Sequence, residues 1–175
     1  MKKLILLALA FIFTSESYAQ RCGLKGINLG LGIPVEFYNL EAAGADLQIG
    51  FDRTYPISDR FAFGFYLSAG GGILAAFHPF NEDDRIYSNF KFCAGLLGEF
   101  GDLSDRPFLV GVSPCLGLGL LDLDLVLPIE VRFGRMLNDK WYLMGEFVYG
   151  FSHARETVSI EPAIRLGYKF PCKRK

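Results

Sequence analysis

The sequence of 175 residues lacks any apolar run close to the roughly 20 residues that a transmembrane helix needs. The longest apolar run, residues 4–13, follows two lysines and precedes a stretch of small and polar residues. A basic start, a short apolar core and a small-residue cleavage site are typical of a secretory signal peptide. We therefore interpret residues 1–19 as a signal peptide and residues 20–175 as one mature domain, with no lipid attached at Cys22.

The sequence also lacks a charge excess, and it has only two histidines. Of its 18 Lys+Arg and 19 Asp+Glu, two lysines and one glutamate lie in residues 1–19, which leaves 16 basic and 18 acidic residues. This nearly equal number of basic and acidic residues gives no reason to expect a nucleic-acid partner. Neither His78 nor His153 has a partner at a metal-ligating spacing, so we predict no metal site and no cofactor.

Glycine and phenylalanine are abundant. The chain has 20 Gly and 17 Phe, 51% of its residues are hydrophobic, and its mean hydropathy is +0.26. No helical periodicity accompanies these residues. Such a composition is typical of short membrane-spanning strands.

Apolar residues alternate with polar or small ones along eight segments, as they do along strands with two different faces. In the last segment, for example, Ile164 and Leu166 flank Arg165. Eight is the strand number of the smallest membrane barrels, so we predict an all-β, eight-stranded antiparallel up-and-down transmembrane β-barrel. The segments are residues 27–38, 43–53, 61–70, 86–100, 108–120, 123–135, 141–151 and 158–170.

Two orientations of this barrel are open. A soluble secreted barrel of the lipocalin kind would turn its apolar face inward around a ligand, whereas a membrane barrel turns it toward lipid. The polar faces mix charges with many glycines, which weaken strands and are not needed on a solvated surface. Small residues interleaved with charges fit the narrow lumen of eight strands, so we favour the membrane orientation.

The last segment ends with Tyr168 and Phe170, close to the end of the chain. This ending, together with the signal-like start and the eight segments, resembles the OmpA/OmpX-type, porin-like family of outer-membrane β-barrels. Its final strand, typically ending in Phe, is read by the barrel assembly machinery, for which Tyr168 and Phe170 would be the assembly signal. The resemblance implies a monomer in outer-membrane lipid, in the outer membrane of a Gram-negative bacterium.

The same resemblance implies a structural, adhesive or defensive surface role, carried by external loops that meet an unknown extracellular partner. The longest predicted connection, residues 70–85, lies at the end opposite the short turns 55–60, 101–107 and 136–140. Eight strands leave no aqueous pore, so we expect no porin activity. At the periplasmic interface we expect an aromatic girdle of Trp141, Tyr142, Phe133 and Tyr168.

Charges at inward positions are expected to pair and plug the lumen, because a charge at membrane depth needs a partner. We place the centre of this plug at Glu130, Arg132, Glu146 and Arg165, on three consecutive strands. The full set of inward charges comprises Glu36, Asp46, Lys91, Glu99, Glu130, Arg132, Glu146, Glu161, Arg165 and Lys169.

A lipid-modifying enzyme is the alternative function that the resemblance suggests. Eight-stranded lipid A deacylases carry a His-x-Ser pair shortly before the final strand, with a Glu about a strand-length later. Here His153 is followed by Arg155 at the serine position, and Glu161 lies in the last segment. Because the nucleophile is missing, we predict no catalytic residues and no enzyme activity.

Four cysteines in an exported chain favour disulfides. Closure of a barrel would bring Cys22, just before the first strand, beside Cys172, just after the last. Cys93 and Cys115 are equally distant from Ser104, so a hairpin turn centred there would place them directly opposite each other. The alternative is that the inner pair stays reduced as small packing residues.

Overall fold

The computed structural model describes residues 23–38, 41–77, 85–103, 105–119, 124–152 and 157–171, and the structural statements below refer to these residues. They form only strands and connections, and none of them belongs to a helix long and apolar enough to cross a membrane. The strands are β1 (Lys25–Gly32), β2 (Val35–Tyr38), β3 (Glu41–Ser58), β4 (Phe61–Phe77), β5 (Arg85–Phe100), β6 (Phe108–Gly119), β7 (Asp124–Val126), β8 (Ile129–Met136), β9 (Trp141–Ser152) and β10 (Thr157–Lys169).

These ten segments make eight barrel strands, as predicted. β1 and β2 together lie between β3 and β10, and β7 and β8 together pair with β6. Both interruptions contain a proline, Pro34 and Pro128, which has no N–H to donate to the strand ladder. All pairings are antiparallel, and β10 closes the sheet by pairing with both β1 and β9. The fold is a closed up-and-down barrel.

Two predicted connections are shorter than expected. β3 continues through a bulge between Pro56 and Ser58, so the predicted turn 55–60 is reduced to residues 59–60. β4 continues through the glycines at 70–72, where we had predicted the start of the long loop. Backbone pairing with β3 on one side and β5 on the other holds these glycines in the sheet despite their low strand propensity. Residues 78–84 of that loop lie outside the described residues.

The barrel has an apolar outer face and a polar interior. In β10, Ile164 is 65% exposed whereas the neighbouring Arg165 is fully buried. The same alternation runs along β1 and β8. A soluble lipocalin-like barrel would instead have an apolar interior and a polar outer face. An outer face with this density of exposed Leu, Ile and Phe requires lipid as its solvent.

Glycines on the inner face make room for large polar side chains. A Cβ at Gly167 would lie 1.9 Å from the ring of Tyr142, its neighbour in register across the β9–β10 pair. A Cβ at Gly30 would lie 2.9 Å from the side chain of Arg165, which is opposite it in the β1–β10 pair. The narrow lumen thus accommodates its bulky side chains because the residues opposite them are glycines, which have no side chain.

Cys93 and Cys115 form a disulfide, as the hairpin symmetry predicted. They are direct partners in the β5–β6 register, with Cα atoms 4.1 Å apart, and both face the lumen. The alternative of a reduced inner pair is therefore wrong for this structure. Cys22 and Cys172 lie outside the described residues, so their pairing stays a prediction.

The aromatic girdle is only partly as expected. Trp141 and Phe133 are 42% and 61% exposed on the outer face, and Trp141 makes an edge contact with Tyr168, with ring centroids 5.2 Å apart. Tyr142 does not belong to the girdle. It is fully buried and donates a hydrogen bond to Asp52, because its position in β9 has the parity of the inner face.

We predict that peptide mapping without reduction recovers a Cys93–Cys115 linked peptide. Replacing both cysteines by alanine should lower the free energy of unfolding by about 3 kcal/mol, because the bond closes a loop of 22 residues. Denaturant unfolding in lipid vesicles measures this loss. A link from Cys22 to either Cys93 or Cys115 would contradict the β5–β6 register.

Candidate functional site: the charged lumen

Arg132, on β8, occupies the centre of the lumen and is fully buried. Its guanidinium forms ion pairs with Glu130 on the same strand and with Glu146 Oε2 on β9, the latter at 3.2 Å from Nε. From the other side of the barrel, Asp52 Oδ1 lies 3.6 Å from Nη1. One Arg132 side chain therefore connects carboxylates from β3, β8 and β9.

Two uncharged side chains complete the surroundings of Arg132. Its Nη2 donates a hydrogen bond of 2.9 Å to Ser68 on β4. Its guanidinium carbon lies 3.7 Å from the ring centroid of Tyr66, a cation–π geometry in a desolvated site. The phenol of Tyr66 is itself buried, so this face of the guanidinium is shielded from water.

Arg165, on β10, is the second buried arginine. It forms an ion pair and a hydrogen bond with Glu146, donates to Asn28 Oδ1 at 2.8 Å and donates to Gln48. Its Nη2 also lies 4.0 Å from Glu130 Oε2. Arg165 thereby ties β10 to β1, β3 and β9.

Glu146 is the shared partner of the network. It contacts Arg132 and Arg165 directly, and its second oxygen lies 3.8 Å from Lys91 Nζ. The four residues predicted to form the centre of the plug, Glu130, Arg132, Glu146 and Arg165, are indeed brought together.

A second ion pair lies beside this centre. Lys91 on β5 donates to both oxygens of Glu161 on β10, at 2.8 and 2.9 Å. Gln48 donates to the same carboxylate at 2.6 Å. Glu161 is thus held inside the lumen by Lys91 and Gln48.

The end of the lumen near the short turns is closed by apolar packing. A cluster of buried side chains, including Leu24, Leu97, Leu109 and Met136, fills this end. Just above it, Glu99 accepts hydrogen bonds from the Leu24 amide, at 2.6 Å, and from the Thr54 hydroxyl. The chain segment before β1 is thereby fastened to the inner wall.

The interior is strongly acidic. Among the described residues, seven carboxylates but only three cations are buried. Each cation therefore serves several carboxylates, and the oxygens of Asp46 accept no hydrogen bond from the described residues. Removal of one cation would leave carboxylates uncompensated, whereas removal of Asp46's charge would reduce the acid excess. The carboxylates are Glu36, Asp46, Asp52, Glu99, Glu130, Glu146 and Glu161, and the cations are Lys91, Arg132 and Arg165.

The lumen offers no metal centre of its own among the described residues. Cys93, Cys115 and Glu130 are the group with ligand atoms close together, but the two sulfurs are joined to each other. A disulfide cannot supply the thiolates that bind zinc or attack a substrate. What the arrangement can do is hold the strands together and exclude water.

The other predicted site residues have different positions. Glu36 and Asp46 face the lumen, whereas Lys169 is half-buried at the rim near the short turns. His78, His153 and Arg155 lie outside the described residues. Asp52 was not among the predicted inward charges. It lies six residues after Asp46 on β3, so the alternation of faces along the strand could have predicted that it points into the lumen.

Comparisons with known proteins identify the fold. No protein-family model and no curated protein matches the sequence. Among solved structures, Neisserial surface protein A matches with a TM-score of 0.54 and 12% identity, over 83% of this chain and 97% of that one. Ail, the attachment invasion locus protein of Yersinia pestis, matches with a TM-score of 0.52 and 11% identity, over 85% and 99%.

The outer membrane enzyme PagL matches with a TM-score of 0.54 and 8% identity, over 82% of this chain and 99% of that one. At these identities the matches establish the fold alone. That fold is the small outer-membrane β-barrel, which confirms the resemblance in architecture. Because the matched structures include an enzyme as well as surface proteins, the fold does not assign an activity.

We predict that Arg165→Ala lowers the free energy of unfolding by about 3–5 kcal/mol, because it removes one of only three buried cations and leaves the excess of buried carboxylates less compensated. Arg132→Ala should behave similarly. Asp46→Asn is the matched control and should be neutral or stabilising, since it removes one of the excess carboxylates, whose oxygens accept no hydrogen bond from the described residues. Denaturant titration in vesicles measures all three. A neutral Arg165→Ala, or an Asp46→Asn as costly as the arginine variants, would contradict the network described.

Proposed function

We propose that this protein is an integral barrel of a Gram-negative outer membrane, with a plugged lumen and a structural or surface-interaction role. The observation that carries the proposal is the buried network around Arg132 and Arg165. Side chains that cross-link several strands through the narrow lumen of eight strands support a filled interior rather than an open pore. We therefore do not propose that the protein conducts solutes. Its functional part is instead the set of external loops.

The proposal includes export and assembly. A cleaved signal peptide, residues 1–19, would deliver the chain to the periplasm, and the barrel assembly machinery would read the final strand at Tyr168 and Phe170. The external loops would then meet an unknown extracellular partner, with the barrel acting as a monomer. Ail is described as an attachment invasion locus protein, which offers a precedent for a surface role on this fold.

A lipid A deacylase-like enzyme is the second candidate, favoured by the likeness to the outer membrane enzyme PagL. Against it, Glu161 is bound inside the plug by Lys91, and Arg155 stands at the position of the serine nucleophile. Mass spectrometry of lipid A incubated with the purified barrel tests this candidate. Deacylation that disappears in His153→Ala would establish the enzyme and displace our proposal.

We expect the protein to fractionate with outer membranes and to migrate faster on gels when left unheated, as a folded barrel. In planar lipid bilayers it should give no large, steady conductance, because the lumen is filled. A stable open pore would contradict the plugged lumen, and recovery as a soluble periplasmic monomer would contradict the membrane location.

A further inference from the structure

The outer face of the barrel is uneven at the seam where β10 closes against β1. Beyond Lys25, the outward side chains of β1 are aliphatic, and its Leu29 and Leu31 are paired with Leu166 and Ile164 of β10. On β3, which flanks β1, Phe51 faces outward, and on β9, which flanks β10, Phe147 and Phe151 do so. Short side chains between taller rings leave a groove.

This groove has a volume of about 890 Å³, within the range of about 300–1,000 Å³ typical of small-molecule sites. Its walls include Leu29 and Leu31 of β1, Ile49 of β3, and Ile164 and Leu166 of β10. Trp141 and Tyr168 border it at the end near the short turns, with their rings in edge contact. Such rings mark the level of lipid headgroups in membrane barrels.

Two cations stand beyond that end of the groove, on the same outer face. Lys25 and Arg53 are direct partners in the β1–β3 register, one step past the pairing of Ile27 with Phe51 along that face. Directly opposed residues have Cβ atoms about 5 Å apart, and like charges in such a pair repel. Among the described residues, the neighbours of this pair across the sheet are aromatic and uncharged. Arg53 is paired with Phe65 on β4, and the Lys25 carbonyl accepts a hydrogen bond from the Phe170 amide.

An anion between Lys25 and Arg53 would convert this repulsion into attraction. The guanidinium of Arg53 is already held in place, 4.9 Å from the ring centroid of Tyr55. An ammonium and a guanidinium side by side suit a phosphate oxygen cluster. The anion must also belong to a molecule with an apolar part, since the groove begins directly beside the two cations.

We propose that Lys25, Arg53 and the adjoining groove form a binding site for an anionic glycerophospholipid of the periplasmic leaflet. Its phosphate lies between the two cations, and an acyl chain lies in the groove over Leu29 and Ile164. The periplasmic leaflet follows from the predicted orientation, in which the turns 55–60, 101–107 and 136–140 face the periplasm. The site is separate from the lumen and from the external loops, so it does not depend on the proposed surface role.

Native mass spectrometry of the full-length barrel, released from nanodiscs, tests this site by counting retained lipids. Three probes are compared: dioleoylphosphatidylglycerol, dioleoylphosphatidylcholine and lipid A. We expect preferential retention of phosphatidylglycerol. Lys25→Gln with Arg53→Gln should weaken that retention about tenfold or more, because each cation near a membrane surface contributes severalfold to anionic lipid binding.

The matched control is Arg60→Gln with Arg135→Gln, which removes the same charge from exposed positions at the same rim but away from the groove. It should retain phosphatidylglycerol as the unaltered protein does. A third variant, Leu29→Trp, keeps both cations and fills the groove, and it should also reduce retention. Equal loss in the control, no loss in Lys25→Gln with Arg53→Gln, or preferential retention of lipid A would overturn the proposal.

Discussion

Buried cations inside a lipid-surrounded barrel must be paired with carboxylates, and this constraint shapes the whole lumen. Arg132 and Arg165 meet this constraint through Glu146, which both of them contact. The paired side chains come from β3, β8, β9 and β10, so these ion pairs form only when the strands close into the barrel. An arginine left alone in this interior would cost several kcal/mol, so the network favours the strand arrangement in which the two arginines meet their carboxylates.

Much of this could be predicted from the sequence, because the alternation of apolar and polar residues identifies a strand and also shows which residues share each of its faces. The alternation of Ile164, Arg165 and Leu166 is sufficient to assign lipid and lumen sides once the membrane orientation is chosen. Hairpin symmetry about Ser104 was likewise sufficient to pair Cys93 with Cys115, since a strand register is fixed by its turn. Glu130, Arg132, Glu146 and Arg165 followed from the same rule.

What could not be predicted depends on contacts between distant strands. Tyr142 was assigned to the interface by its chemistry, yet its parity turns it inward onto Gly167, where only a missing side chain leaves space for the ring. The glycines at 70–72 read as a loop because propensity is local, whereas their place in β4 is set by two neighbouring strands. The ion pair of Lys91 with Glu161 joins β5 to β10 across the lumen, and no spacing along the chain encodes it.

The buried ion pairs, and not the apolar outer face alone, hold the barrel in its closed form. A double-mutant cycle on Glu146→Gln and Arg165→Met measures their contribution, because it isolates the coupling between the two side chains from the cost of each change. Unfolding in vesicles should give a coupling of about 1–3 kcal/mol, the range for side chains in one buried network. Additivity of the two changes within about 0.5 kcal/mol would contradict the account.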